Sequence, residues 1–390
     1  VLKASPALPL VLIAALAVSA CEQDEAPIRI GATMSESGAY STQGIPARNG
    51  YLLCERDANT RGGVLGREIE FLIHDDESNS ETAIALYEQL ITQDGVDAVM
   101  GPYGSTLTEA VAPVTERHRF LHISPLAATS SIWEQGRRYL FMVLPPAELF
   151  LAGLVDMASS QGLERIALLQ EDALFPRAAG AGAAELAEER GLDVVLHETY
   201  PSGTSDFSEI LARVEAEGAE ALGMAASALD DFIVVARQMR DLDVNVRMFG
   251  TSGAVSEFQE ALGETAEYAY GLSAWEPSLP HPGIEEFVEA YRNEFGQDPS
   301  FHAAGAYGSC QLFLEAVRRA ESLDSDELRE VLLDLQTTTV FGDYAVDERG
   351  YQVANQGVFV QWQDGEKAVV WPAEVATAEP RFPTPPWSER

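Results

Sequence analysis

The chain has 390 residues, 46% of them hydrophobic, enough for a large core divided among more than one domain. Acidic residues outnumber basic ones 62 to 25, for a formal charge of −37, and lysine occurs only at Lys3 and Lys367. So negative a surface repels polyphosphate backbones and anionic headgroups, which sets aside nucleic acid and direct lipid binding.

Lys3 precedes "ALPLVLIAALAVSAC", a run about as long as a signal-peptide core and short for a membrane span. Small residues before Cys21 resemble a bacterial lipoprotein signal. On that reading residues 1–20 are the leader, Cys21 is the lipidation site, and 21–27 form an acidic tether. An ordinary signal peptide with an incidental cysteine is the plainer alternative. The expected body is exported to the periplasm or the outer face of the cytoplasmic membrane, and is held there only by its lipid. Cys54 and Cys310 fall in apolar helical stretches and read as buried hydrophobes, with a disulfide permitted by export. The histidines are scattered and no C-x-x-C or H-E-x-x-H occurs, so no metal or cofactor is expected.

Strand and helix then alternate. Ile28–Ala32 is a strand ending in "TMSESGAYSTQG", and the next helical pattern stops at Gly62-Gly63. Glu68–His74 is a strand, "SETAIALYEQLITQ" an amphipathic helix, Asp97–Met100 a strand followed by "GPYGST", and Thr106–Arg117 a helix. Phe120–Ile123 reads as a buried strand that ends in a cluster of hydroxyl residues, Ser124, Thr129, Ser130 and Ser131. The pattern restarts near Tyr139–Leu144 and continues as a second α/β lobe to Tyr268–Ser273. Beyond the proline-rich "WEPSLPHPG" come helices at Ile284–Phe295, Ala303–Ala320 and Ser325–Leu335. Hairpins follow, with turn signals at Asp347–Gly350 and Asp364-Gly365, and then an extended or loose tail at 373–390. Such alternation predicts doubly wound parallel sheets, whose ligand crevice lies beyond the carboxyl ends of the strands. "SESGAYS", "GPYGST" and "SPLAATSS" are therefore expected to converge.

Other chemistries fit poorly. The glycines of "AAGAGAAELAEE" lie about ten residues after their strand, too late for a dinucleotide loop, and read as helix packed on a sheet. "GTSGA" is not a nucleophile elbow, and no histidine can be set beside a nucleophile, so no enzyme activity is expected. Asp75-Asp76, Glu171-Asp172 and Asp230-Asp231 read as caps and solvated turns, with Glu171-Asp172 the pair best placed to face a crevice.

The order of "IGATMSESGAYSTQG", "DDESNSETAI", "VMGPYGSTLTEAVAPV", "ISPLAAT", "YPSGTSDFSEIL" and "GVFVQWQDGEKAVVWP" resembles the extracellular solute-binding proteins of the leucine/isoleucine/valine-binding type, from about Ile28 to Pro372. The resemblance implies a type 1 periplasmic-binding-protein fold, with two doubly wound α/β lobes around a ligand cleft. The first lobe would comprise 28–146 and 277–339, the second 147–276 and 340–372. It also implies a monomer serving an ABC permease and ATPase, with a ligand-sensing subunit as the rival.

Carried over residue by residue, the resemblance places Tyr40 and Ser105 on the ligand, Ser105 at its carboxylate. The "SP-x-x-T" loop adds Ser124 and Ala128, with Thr129 one place beyond the family's threonine. Ser105, Thr129, nearby backbone N–H groups and helices beginning near Thr106 and in the 130s would hold an anion without arginine. Tyr307 matches an aromatic on the apolar side, and Trp275 is either a cleft or a hinge residue. The second lobe departs from the pattern. Phe175 replaces one tyrosine, Ala225–Ala226 another, and Ser252 stands where amino-acid-binding members have the acid that grips the ammonium. Either Asp172, Asp230 or Asp231 substitutes, or the ligand is an amide, a keto acid or an aromatic or aliphatic acid without an ammonium. A hydrophobic or branched-chain amino acid, or a related small carboxylate, is the expected solute.

Overall fold

The computed structural model describes residues 1–2 and 26–390. Cys21 and residues 3–20 of the expected leader lie outside the described residues. Among those described, no helix is long and apolar enough to cross a membrane.

The first sheet is built from β1 (Ile28–Met34), α1 (Ser41–Thr60), β2 (Ile69–Asp75), α2 (Ser80–Gln89), β3 (Ala98–Met100), α3 (Ser105–His118), β4 (His122–Ser124) and β5 (Leu140–Met142). All of β1 but Arg29 is buried, as a strand covered by helices on both faces requires. Its strands run parallel in the order β2-β1-β3-β4-β5. The segment Leu140–Met142, read from the sequence as the restart of the pattern, is instead the last strand of this sheet.

The chain then builds a second unit: α4 (Ala152–Ser160), β6 (Arg165–Glu171), α5 (Leu174–Glu189), β7 (Asp193–Tyr200), α6 (Ser208–Ala216), β8 (Ala221–Ala225), α7 (Leu229–Asp241), β9 (Met248–Thr251), α8 (Ser256–Leu262) and β10 (Tyr270–Ser273). It returns through α9 (Ile284–Phe295), α10 (Phe301–Ala320) and α11 (Ser325–Asp334) to pack against α1. A short hairpin, β11 (Thr337–Thr339) and β12 (Gly342–Tyr344), leads to β13 (Val358–Gln363) and β14 (Glu366–Trp371). The second sheet has the order β14-β13-β10-β9-β8-β6-β7, its pairings parallel except β10–β13 and β13–β14, which are antiparallel.

Each sheet thus reverses its strand order once, beside β1 and beside β6. Ligands of open α/β sheets bind at such switch points, outside the carboxyl ends of the strands. The loops after β1 and β3 and those after β6 and β8 are therefore the ones the topology singles out.

Close packing fixes the frame. A Cβ at Gly50 of α1 would lie 2.2 Å from the carbonyl oxygen of Ala303, so only glycine lets α1 and α10 approach this closely. The same pair of helices carries the disulfide Cys54–Cys310, which closes 256 residues of chain. The alanine- and glycine-rich α5 is a packed helix, as its composition predicts: a Cβ at Gly182 would lie 2.3 Å from the Glu148 carbonyl oxygen. The Asp364-Gly365 turn joins β13 to β14, whereas Asp347–Gly350 turns a segment held by a single bridge between Val346 and Gln352. Residues 373–390 are anchored rather than loose. Trp387 donates its indole N–H to the Val244 carbonyl at 2.9 Å, and Gln361 donates to the Arg381 carbonyl at 2.9 Å.

Candidate functional site

Two acids shape the first loop. Asp76 is fully buried and accepts from Thr33 at 2.9 Å, Ser35 at 2.6 Å and the Ser78 amide at 3.0 Å. Burial nevertheless pushes its carboxyl up from the usual range. Asp75 shows the opposite balance. Burial is the largest single influence and opposes the charge, but hydrogen bonds from the Ser37 hydroxyl and from the Glu77, Ser37 and Glu36 amides together outweigh it and hold the carboxyl low. These bonds tie the loop after β1 to the loop after β2. The Ser78 hydroxyl then accepts from the Tyr40 amide at 3.1 Å, and the Tyr40 carbonyl accepts from Gln43 and Gly44 as α1 begins. Gly44 is required there, because a Cβ would lie 2.1 Å from the Ser35 carbonyl oxygen. The acid pair is a brace between the two loops next to Tyr40 and Gln43, and Asp76, fully buried, is not the solvated turn residue that the sequence suggested.

The loop after β3 brings Ser105 to the amino end of α3. Its Oγ accepts from the Ala128 amide at 3.1 Å and the Thr129 amide at 3.3 Å. With both bonds accepted, the Ser105 O–H proton is left to donate outward. No side chain caps α3, and Gly104, Ser105, Thr106 and Leu107 all line one cavity. The hydroxyl and the positive end of the helix dipole therefore point at the same space. The Ala128 and Thr129 amides donate to Ser105 Oγ, and the 130s supply only a three-residue 3-10 turn, Ser130–Ile132, where the sequence reading placed the start of a helix. Thr129 and Ser124 lie behind the serine, their hydroxyl oxygens buried and without a hydrogen-bond partner among the described residues.

The second unit repeats the device. Ser252, at the end of β9, accepts from the Ala226 amide at 3.3 Å, and the Ser252 amide donates to Met224 at 2.8 Å. Ala226, Ser252 and Phe175 line the same cavity as Tyr40 and Ser105. One hydrogen bond spans the cleft: the Tyr103 hydroxyl donates to the Ser227 carbonyl at 3.1 Å.

The cleft encloses a cavity of about 70 Å³, counted as room for the centres of water-sized spheres. At roughly 10–15 Å³ per water the space holds on the order of five to seven waters, which suits a small solute and not a peptide. Its walls are largely apolar and aromatic, with Phe150, Phe175, Phe232 and Phe301 joining Tyr40 and Tyr103. No Asp, Glu, Lys or Arg is among its described lining residues.

Of the predicted site residues, Ser124, Ala128, Thr129, Asp172 and Tyr307 do not line this cavity. Asp172 faces solvent and pairs with Arg177, because it sits one residue past the end of β6 and points away from the buried Glu171. Tyr307 lies on the α10 face that holds the disulfide, where its hydroxyl donates to Asp57 at 3.0 Å and its ring packs on Phe287. Trp275 proves to be a packing residue: buried, bonded through its indole N–H to the Val340 carbonyl at 2.8 Å, and absent from the cavity wall. Asp230 is exposed at the start of α7.

The acids behind the cavity are Glu171 and Asp231. Glu171 accepts from the Ser202 hydroxyl at 2.5 Å and the Ser227 amide at 2.8 Å. Asp231 accepts from Tyr200 at 2.9 Å, and burial, with the nearby Glu171 and Asp230 charges, pushes its carboxyl up to about 6. Their field reaches the cleft. Burial raises the Tyr40 phenol, and the Glu171 and Asp231 charges raise it further. Sequence reasoning missed Tyr103, Gln43 and His302. Tyr103 had a signal, since it shares the loop of Ser105; the other two open helices and had none.

The sequence profile of the periplasmic binding protein family matches residues 27–367. Leu/Ile/Val-binding protein homolog 7 of Brucella suis biovar 1 is 25% identical over 394 residues, covering 95% of this chain and 98% of that one. Among solved structures, the branched-chain amino acid transporter substrate binding protein LivJ of Streptococcus pneumoniae, in complex with isoleucine, superposes with a TM-score of 0.79 at 23% identity, covering 89% of this chain and all of that one. A solute binding protein of an ABC transporter from Rhodopseudomonas palustris BisB5, in complex with 3,4-dihydroxy benzoic acid, gives 0.76 at 23% identity, covering 88% of this chain and 95% of that one. The fold is the type 1 fold of these proteins, two α/β lobes facing one cleft, and the chain belongs to the periplasmic binding protein family.

Proposed function

We propose that the chain is the extracytoplasmic receptor of an ABC importer, and that it captures a small, largely apolar monocarboxylate without an ammonium group. Tyr40, Ser105, Phe175, Ala226 and Ser252 contact the solute; Ala128 and Thr129 act through Ser105. The carboxylate sits at the Ser105 hydroxyl and the amino end of α3, and the aromatic walls take the body. The observation that carries this reading is a cavity with hydroxyl and amide donors but no acid among its described lining residues. An ammonium enclosed there would lack a direct anionic partner, which is costly in a closed cleft. Solute that prefers the closed form shifts the lobes toward it, and the closed form is what the permease reads. The receptor performs no chemistry on its cargo and works as a monomer, carried to the membrane by the lipid on Cys21.

A branched-chain amino acid is the second reading. The negative field of Glu171 and Asp231 at Tyr40 favours it, since that field attracts an ammonium. Thermal-shift titration of leucine, isoleucine, their keto acids and benzoate decides between the two. Stabilisation by the keto acids or benzoate but not by the amino acids is the expected result; the reverse overturns the ammonium-free reading.

A further inference from the structure

Two polar atoms in the cavity wall lack partners. Gln43 is 5% exposed and His302 3% exposed, and both line the cavity. Gln43 Oε1 and His302 Nδ1 are buried with no hydrogen-bond partner among the described residues. Buried polar groups of native proteins are nearly always paired, because leaving one orphaned costs about 1–3 kcal/mol. Gln43 opens α1 and His302 opens α10, on different elements from the Ser105 anchor. The Tyr103 ring lines the same cavity, its centroid 5.3 Å from Tyr40 and 5.6 Å from His302.

We infer that Gln43 and His302 form a second polar subsite, which accepts a neutral hydroxyl on an aromatic ring whose carboxylate is held at Ser105. This rests on the carboxylate reading above and narrows it to a hydroxylated aromatic monocarboxylate. A hydroxyl both donates and accepts, so it pairs with the Gln43 amide oxygen and with a neutral imidazole nitrogen. The imidazole is neutral at any physiological pH: burial, helped by the Lys367 charge, pushes its pKa down to about 3. A second carboxylate would face the Gln43 side-chain carbonyl oxygen, an acceptor, with no cation among the described residues lining the cavity, so the subsite favours a neutral hydroxyl over a second carboxylate. An apolar ring carbon would leave both atoms unpaired. A site built to bond a hydroxyl discriminates strongly against the analogue that lacks it.

The test is isothermal titration of benzoate, 3-hydroxybenzoate and 4-hydroxybenzoate, together with the carboxylate-free pair benzamide and 4-hydroxybenzamide. In the wild-type protein at least one hydroxybenzoate should bind about tenfold or more tightly than benzoate. In Gln43→Leu and His302→Phe that ratio should fall toward one. Because the wild-type comparison needs no variant, it stands even where a variant fails to fold. Equal affinities for benzoate and both hydroxybenzoates, or an advantage that survives both substitutions, overturn the subsite, as does a panel in which no hydroxylated member binds. A hydroxyl advantage confined to the amides, with the acids inert, leaves the subsite standing and removes the carboxylate anchor instead.

Discussion

Replacing Ser105 with alanine tests the anchor through two separable losses. The Oγ now accepts two buried backbone N–H groups, at 3.1 and 3.3 Å, and its own proton is the one left for a ligand. Without the hydroxyl the Ala128 and Thr129 amides are orphaned, which lowers the stability of the free protein by about 1–3 kcal/mol. A bound carboxylate also loses one charge-assisted hydrogen bond, worth roughly 1.5–3 kcal/mol, so its Kd should rise about 10- to 150-fold. Thermal or chemical unfolding of the ligand-free variant reads the first loss; calorimetric titration of the acid that binds best reads the second. Ser105→Thr keeps the hydroxyl and should recover most of the affinity. A Ser105→Ala protein that is destabilised yet binds the acid with unchanged Kd would refute the placement of the anion while leaving the loop geometry intact.

Tyr103→Phe removes the one hydroxyl bond seen across the cleft, to Ser227; a net loss of about 0.5–1.5 kcal/mol from the closed form should weaken binding about 2- to 13-fold, and no change in affinity would mean that this contact does not hold the lobes together. Replacing Cys54 and Cys310 together by serine opens a 256-residue loop; chain entropy sets an upper bound of about 5 kcal/mol on the cost, read as a lower unfolding midpoint, and an unchanged midpoint contradicts a stabilising role. The Asp231 carboxyl is held at about 6, above its ordinary 3.8, so the folded state binds more protons than the unfolded one between those values. Stability should therefore fall as pH rises through that window, the reverse of a salt-bridged acid, and Asp231→Asn should flatten the slope; a slope equal in both proteins rejects it. With a net charge of −37, association of an anionic solute should speed up as salt screens the repulsion, whereas a rate that falls with salt indicates a local positive field.

Much of the architecture was legible in the sequence because strand–helix alternation at this length leaves few alternatives to parallel sheets. The convergence of the loops holding Tyr40 and Ser105 follows from the same rule, since both end strands at a switch point. What failed to show was facing. Glu171 and Asp172 are neighbours, and only the three-dimensional fold, where Glu171 pairs with Tyr200 of β7 and Asp172 lies just past the strand, decides that the first is buried and the second exposed. Tyr307 lies on a helix buried nearly all round, so no periodicity distinguishes its disulfide face from its cleft face. Gln43 and His302 are ordinary first-turn residues in the sequence. They become notable only when α1 and α10, pressed together at Gly50 and Ala303, carry both to one wall with no partner for either.

The central claim is that a small carboxylate is held between the lobes at Ser105. A crystal structure of the complex with the tightest-binding acid from the titration panel tests it most directly. The account predicts a carboxylate oxygen within about 3 Å of Ser105 Oγ, at the amino end of α3, with Tyr103 still reaching Ser227 across the closed cleft. Solute density outside this cavity, or a carboxylate turned toward Glu171 and Asp231, would contradict it.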